Sequence, residues 1–133
     1  MPRREVSVPD TNSILRYLLA DNKELHERAC GLFDKVRTGE AAVLLLESVL
    51  VECVYVLVKF YGVPRQEAAA TLKGFIAYRG VTNSDKKDLA EALTLFGDST
   101  LDIVDCILCM KAKNNNLPLF TFDKALAKRV GKK

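Results

Sequence analysis

The sequence predicts an α/β domain in which a parallel sheet is covered on both faces by helices. Three observations carry that prediction. A short apolar stretch passes directly into an amphipathic helix at VSVPDTNSILRYLL, residues 6–19. Strand-like and helix-like stretches then alternate along the chain, the pattern of parallel strands joined by helical crossovers. Glycines fall where helical periodicity stops, at Gly39, Gly62, Gly80 and Gly97, as helix ends in the left-handed conformation favour. There is no internal repeat, low-complexity segment or linker, so residues 1–133 read as a single domain.

In the opening stretch Val6 and Val8 alternate with Ser7 at the period of a half-buried strand, and Pro9 ends the pairing. Asp10, Thr11, Asn12 and Ser13 are helix-starting residues, followed by Ile14, Leu15, Leu18 and Leu19 at helical spacing. A carboxylate is thereby left at the C-terminal end of a strand, where open α/β folds place their ligands. Asp10 serves equally well as a simple helix cap.

Asp21 and Glu24 form a variant capping box for a second helix, with Leu25, Ala29, Leu32, Phe33 and Val36 on one face. The apolar run from Ala42 to Leu46 suits a buried parallel strand. Glu47 and Ser48 open a third helix that reaches Tyr61. A fourth begins at Pro64, with Ala68, Leu72, Phe75 and Ile76 apolar, and stops near Gly80. Val81 and Thr82 stand where a strand is expected but are few. A fifth helix starts at Ser84 or Asp85 and closes at Gly97, and a sixth covers residues 101–113. Leu117 to Phe122 reads as the last strand, with Asp123 capping a short final helix.

Composition narrows the class. Apolar residues make up 49% and charged residues 28% of the 133, as in soluble globular proteins. The net charge of +3 permits a nucleic-acid partner without requiring one. No apolar run approaches the roughly 18 residues of a membrane span, and the N-terminus has no apolar signal core, so a cytoplasmic protein is expected. Cys30, Cys53, Cys106 and Cys109 lie in apolar helical contexts as reduced core residues do. Cys106 and Cys109 have metal-pair spacing, but no second pair completes a zinc site, and the only histidine, His26, sits among charges.

The chemistry is carried by carboxylates in unexpected places. Glu52 is the only charge in SVLVECVYVLV, residues 48–58, a helix apolar on nearly every side. A buried carboxylate there costs several kcal/mol unless paired, and no lysine or arginine lies one turn away. Glu47 is about 140° around the helix from Glu52 and fits a cap or loop. In the sixth helix Asp102 and Asp105 are neighbours on one face. Asp102 suits a first-turn cap, whereas Asp105 has a like charge beside it and apolar neighbours. If these acids converge with Asp10 and Asp123, the cluster needs a cation. Oxygen ligands without Cys or His select Mg²⁺ or Mn²⁺, suited to phosphate chemistry. The sequence has no Gly-rich phosphate loop, no Ser–His pairing and no histidine placed as a general base.

Four pieces in order, VPDTNSILRYLL, ESVLVECVYVL, LDIVDCILCMKAK and LPLFTFDKAL, resemble the PIN domain, and most closely the VapC-type toxin ribonucleases of toxin–antitoxin pairs. The resemblance implies a three-layer α/β/α sandwich with a parallel sheet in order 3-2-1-4-5. It implies a Mg²⁺- or Mn²⁺-dependent endoribonuclease that hydrolyses RNA phosphodiesters. The site maps onto Asp10, Glu52, Asp105 and Asp123 as catalytic residues and metal ligands, with Asp102 matching an additional acid found in part of the family. Thr11, Asn12 and Thr121 match polar accessory positions. An antitoxin that occludes the site and a homodimer are implied as partners. Pro9 departs from the residue usual before the aspartate, and the family's last strand is not legible. The alternatives are a catalytically inert PIN-like module that binds protein or RNA, a haloacid-dehalogenase-like phosphatase and a response-regulator receiver. The phosphatase needs an acid where this chain has Asn12, and the receiver leaves Glu52 unexplained.

Overall fold

A computed structural model describes residues 5–131. Strand β1 (Val6–Ser7) leads into α1 (Thr11–Leu19) and α2 (Lys23–Thr38). Strand β2 (Ala42–Val43) follows, then α3 (Glu47–Tyr55), which continues as a π-helical turn (Val56–Phe60). Four further helices complete the chain: α4 (Arg65–Ile76), α5 (Lys86–Asp98), α6 (Ile103–Asn114) and α7 (Lys124–Gly131). No described helix is long and apolar enough to cross a membrane.

The domain is therefore mostly helical around a small parallel sheet. Val6 pairs with Ala42 and Ser7 with Val43 in parallel register. Val43 also forms a parallel bridge with Val81. The N–H of Leu44 goes to the Ser7 carbonyl at 2.9 Å, while Val43 exchanges bonds with Gly80 and Thr82. Successive backbone groups of a strand point to opposite sides, so Val81 flanks β2 away from β1. The expected strand around Val81 is thus a single bridge.

The last expected strand is not formed. Leu117 to Phe122 pairs with no strand among the described residues, and Phe120 and Phe122 are 87% and 90% exposed. Alternating apolar residues favour a strand only where a neighbouring backbone takes up the hydrogen bonds. Here the Leu117 N–H is tied to Ala112 O at the end of α6, and Pro118 has no N–H to give. The sandwich of five strands is accordingly reduced to the β1–β2 pair and its bridge. Val6, Ser7 and Val8 are all exposed where a half-buried alternation was expected, and among the described residues β1 pairs with β2 alone. Leu44 and Leu46 also face out while Ala42, Val43 and Leu45 are buried, an alternation where a continuous buried run was expected.

Helix ends follow local chemistry with small shifts. The α2 cap is Asn22, which accepts from Leu25 N at 3.0 Å, instead of Asp21. Gly39 at φ 91° closes α2, and Asn116 at φ 53° follows α6. Helix α4 ends at Ile76 and α5 runs through Gly97 to Asp98, so those two stops lie off the glycines.

The core joins Ile14 and Leu15 of α1, Phe33 and Val36 of α2, Leu50, Cys53, Val54 and Leu57 of α3 and its continuation, and the inner faces of α4, α5 and α6. Phe33 and Phe75 meet edge to face with centroids 5.4 Å apart, a geometry that adds to their area burial. The four cysteines are free thiols, and burial pushes Cys53 up to about 12 and Cys106 up to about 11. A thiol shifted upward by burial is a weak nucleophile at neutral pH. This packing sets α1 and α3 side by side, with the ends of both opening on one cleft.

Candidate functional site

Asp10 stands at the junction of β1 and α1, with Pro9 buried behind it. It caps α1: its Oδ1 accepts from Ser13 N at 2.9 Å and from Ser13 Oγ at 2.7 Å. These two bonds hold the Asp10 carboxyl below the usual carboxylate range, the hydroxyl bond being the larger cause. A charged carboxylate accepting hydrogen bonds at a helix N-terminus stays ionised at lower pH than a free one.

Glu52 reaches the same place from α3. It is exposed, which corrects the expectation that this carboxylate is buried because its helix is apolar on nearly every side. Leu50, Cys53, Val54 and Leu57 form the buried face, while Glu52 looks into a cleft walled in part by Val56. An apolar helix side can line an open cleft as well as a core. The Thr11 hydroxyl, itself buried, donates to Glu52 Oε1. Since Thr11 follows Asp10 directly, this bond ties the Glu52 carboxylate to the residue beside the Asp10 cap.

The cleft has a volume of about 520 Å³ and is lined by Asp10, Thr11, Asn12, Arg16, Glu52 and Phe60 together with apolar and aromatic neighbours. Asn12 is thus brought to the same cleft as Asp10 and Glu52. Glu47 and His26 lie elsewhere: Glu47 pairs with Lys111 at 3.2 Å, and the His26 ring meets Arg16 O and Cys30.

The other expected site residues do not line this cleft. Asp105 is half-buried in the first turn of α6, which packs on α3. Its charge, like that of Asp102, is felt by Tyr55, three residues after Glu52 on α3. Asp102 caps α6 and accepts from Tyr55 Oη at 2.7 Å, facing a separate hollow of about 210 Å³. Asp123 caps α7 through Leu126 N at 3.1 Å, and Thr121 Oγ1 accepts from Asp123 N at 3.0 Å. Among the described residues no three acidic, histidine or cysteine side chains converge closely enough to hold a metal ion.

The donor set at the cleft nevertheless suits a hard cation. It offers two carboxylates and neutral oxygens with no sulfur or imidazole, and Mg²⁺ is commonly held by one or two carboxylates with waters filling the remaining positions. The residues present fit Mg²⁺ or Mn²⁺.

Three cleft residues were not anticipated from sequence. Arg16 is the sole charge within α1. It pairs with Asp21 at 2.8 Å and donates to Tyr61 Oη at 3.0 Å. Tyr61 and Phe60 follow α3 through the π-helical turn. A lone arginine on an apolar helix and an aromatic pair before Gly62 were the available signals.

The acid side of the site can be tested through its cap. Ser13→Ala removes the stronger of the two bonds to Asp10, so the Asp10 pKa should climb back toward its ordinary value. If the cleft binds a metal ion, protons then compete better for Asp10, and the acid limb of any metal-dependent activity should move to higher pH. A depressed carboxyl contributes stability above its unfolded pKa that is lost as pH falls through the folded value, so the variant should be less stable than the parent at pH values above the ordinary carboxylate range and equal to it in strong acid. Carboxyl titration by NMR beside a pH–rate profile checks both shifts.

No curated protein matches the chain, and no solved structure does. The PIN domain family model matches residues 7–133, nearly the entire chain and the whole of the cleft described above. PIN domains are in general nucleases that act on RNA and typically use divalent metal ions. By that match, over a cleft built from the capped Asp10 and the Thr11-bound Glu52, the chain belongs to the PIN domain family.

Proposed function

We propose that the protein is a metal-dependent endoribonuclease whose cleft at Asp10 and Glu52 hydrolyses RNA phosphodiesters. The observation that carries this reading is the approach of those two carboxylates from separate helices to one cleft, joined through Thr11. Asp10 and Glu52 would hold Mg²⁺ or Mn²⁺ with waters filling the remaining positions, while Asp105, Asp123 and Asp102, which lie outside the cleft lining, would join the ligand set only on a rearrangement that brings them to it. A bound divalent ion lowers the pKa of a water and offsets charge on the leaving oxygen. Ser13 keeps Asp10 ionised, Thr11 orients Glu52, and Asn12 and Thr121 offer polar contacts to the strand. In the cell the chain acts as a VapC-type toxin, present as a homodimer whose site an antitoxin covers.

A second reading, an inert module that binds RNA or protein, draws on the absence of a three-acid cluster among the described residues. The two separate in one assay. Purified protein is incubated with RNA in Mn²⁺, in Mg²⁺ and in EDTA, beside Asp10→Asn. Asparagine caps a helix as well as aspartate does, so the variant should fold normally yet lose cleavage by more than about a hundredfold, the loss of several kcal/mol of charge stabilisation. Binding without cleavage in either metal would establish the inert module.

A further inference from the structure

Beyond its carboxylates the cleft ends in an aromatic wall. Phe60 is 79% exposed and Tyr61 39%, and their rings meet edge to face with centroids 5.1 Å apart. In an α-helix each four-residue step advances about 40° beyond a full turn, so the step from Glu52 to Val56 to Phe60 would drift round the helix. The wider turn at Val56–Phe60, closed by Tyr61 N to Val56 O at 3.0 Å, takes that drift back. Phe60 consequently lines the same cleft as Glu52. π-helical turns of this kind are frequent at functional sites.

The wall is also braced. Tyr61 Oη accepts from Arg16 at 3.0 Å and donates to Asp21 at 3.3 Å, while Arg16 and Asp21 pair at 2.8 Å. Arg16 Nε is buried with no hydrogen-bond partner among the described residues, so the guanidinium is spent on this brace without being saturated by it. Tyr61 is fixed, and Phe60 rests against it with a face left to solvent. A braced aromatic face beside a cation and a carboxylate site matches a nucleobase lying next to a phosphate. Every base has such a face, but in a duplex both faces are taken by neighbouring bases.

We propose that Phe60 stacks on an unpaired nucleobase of the RNA strand in the cleft, with Tyr61, held by Arg16 and Asp21, as the positioning residue behind it. This inference rests on the ribonuclease reading, and its test does not need cleavage. The chain contains no tryptophan, so Phe60→Trp introduces a single fluorescent reporter. With EDTA present, a short single-stranded oligoribonucleotide should quench that fluorescence, and the same sequence in a duplex should bind about tenfold more weakly. Phe60→Ala should bind the single strand about tenfold more weakly than the parent, and Phe60→Tyr should retain it. All three variants should melt as the parent does, since Phe60 is outside the core.

Quenching absent with the single strand, or Phe60→Ala binding as tightly as the parent, overturns the proposal. Metal-dependent cleavage that needs Asp10 but is indifferent to Phe60→Ala removes this inference and leaves the ribonuclease reading standing. Quenching and discrimination without cleavage support the stacking site while removing the ribonuclease reading.

Discussion

Asp105→Asn should leave the metal-free fold within about 0.5 kcal/mol of the parent and reduce RNA cleavage by more than about a hundredfold. The stability expectation comes from opposing effects of similar size. Asp105 lies in the first turn of α6, where a negative charge gains about 0.3–1 kcal/mol from the helix dipole. Against this, Asp102 is three residues away on the same face and repels it by a few tenths of a kcal/mol. No hydrogen bond or ion pair to Asp105 is formed among the described residues that the amide would break. The catalytic expectation follows from the proposed ligand role, because an amide oxygen is a poor replacement for a carboxylate on Mg²⁺. Melting temperature and cleavage rate measured on this variant together decide the role. A destabilised but fully active protein would make Asp105 a structural acid.

The second large effect is on the fold. Gly80 N donates to Val36 O and Gly80 O accepts from Val43 N, both at 2.8 Å, so this residue stitches the end of α2 to β2. A Cβ added there would overlap the Ala41 carbonyl oxygen and come within 2.7 Å of the Val36 oxygen. Both obstacles are backbone, and neither can swing aside. Gly80→Ala should therefore cost about 3 kcal/mol or more, the upper end of overpacking, and lower the melting temperature by roughly 10 °C. Gly74 is the control. It lies inside α4 with nothing within 4 Å of an added Cβ, so Gly74→Ala should stabilise by up to about 1 kcal/mol through helix propensity. Thermal melts of the pair should move in opposite directions. A Gly80→Ala protein as stable as the parent would mean that α2 and β2 are not joined in this way.

Much of this was legible in the sequence wherever the cause is local. Asp10, Asp102 and Asp123 announce themselves as caps because a short acidic side chain before an apolar helical run has backbone N–H groups to satisfy, and all three do so. The π-helical continuation of α3 up to Gly62 was legible only as one unbroken helix, since its wider turn keeps an apolar period close to the α-helical one. What depends on distant partners was not legible. Leu117 to Phe122 has the composition of a strand, but pairing is decided by which backbone lies alongside. The exposure of Glu52 depended on whether α3 met a core or a cleft on that side, and periodicity alone cannot distinguish them. The brace of Arg16, Asp21 and Tyr61 spans 45 residues of sequence, and no local pattern joins its ends.

The central claim is that the cleft at Asp10 and Glu52 holds a divalent metal ion. The most direct measurement is the melting temperature of the parent and of an Asp10→Asn, Glu52→Gln double variant as Mn²⁺ is added. Binding to the native site and not to the unfolded chain stabilises by RT ln(1 + [L]/Kd), about 2.7 kcal/mol at a hundredfold excess over Kd. The parent should therefore melt higher by several degrees with saturating Mn²⁺ while the double variant stays where it was. A parent that shows no shift at Mn²⁺ concentrations supporting cleavage, or a double variant that shifts equally, would contradict the claim.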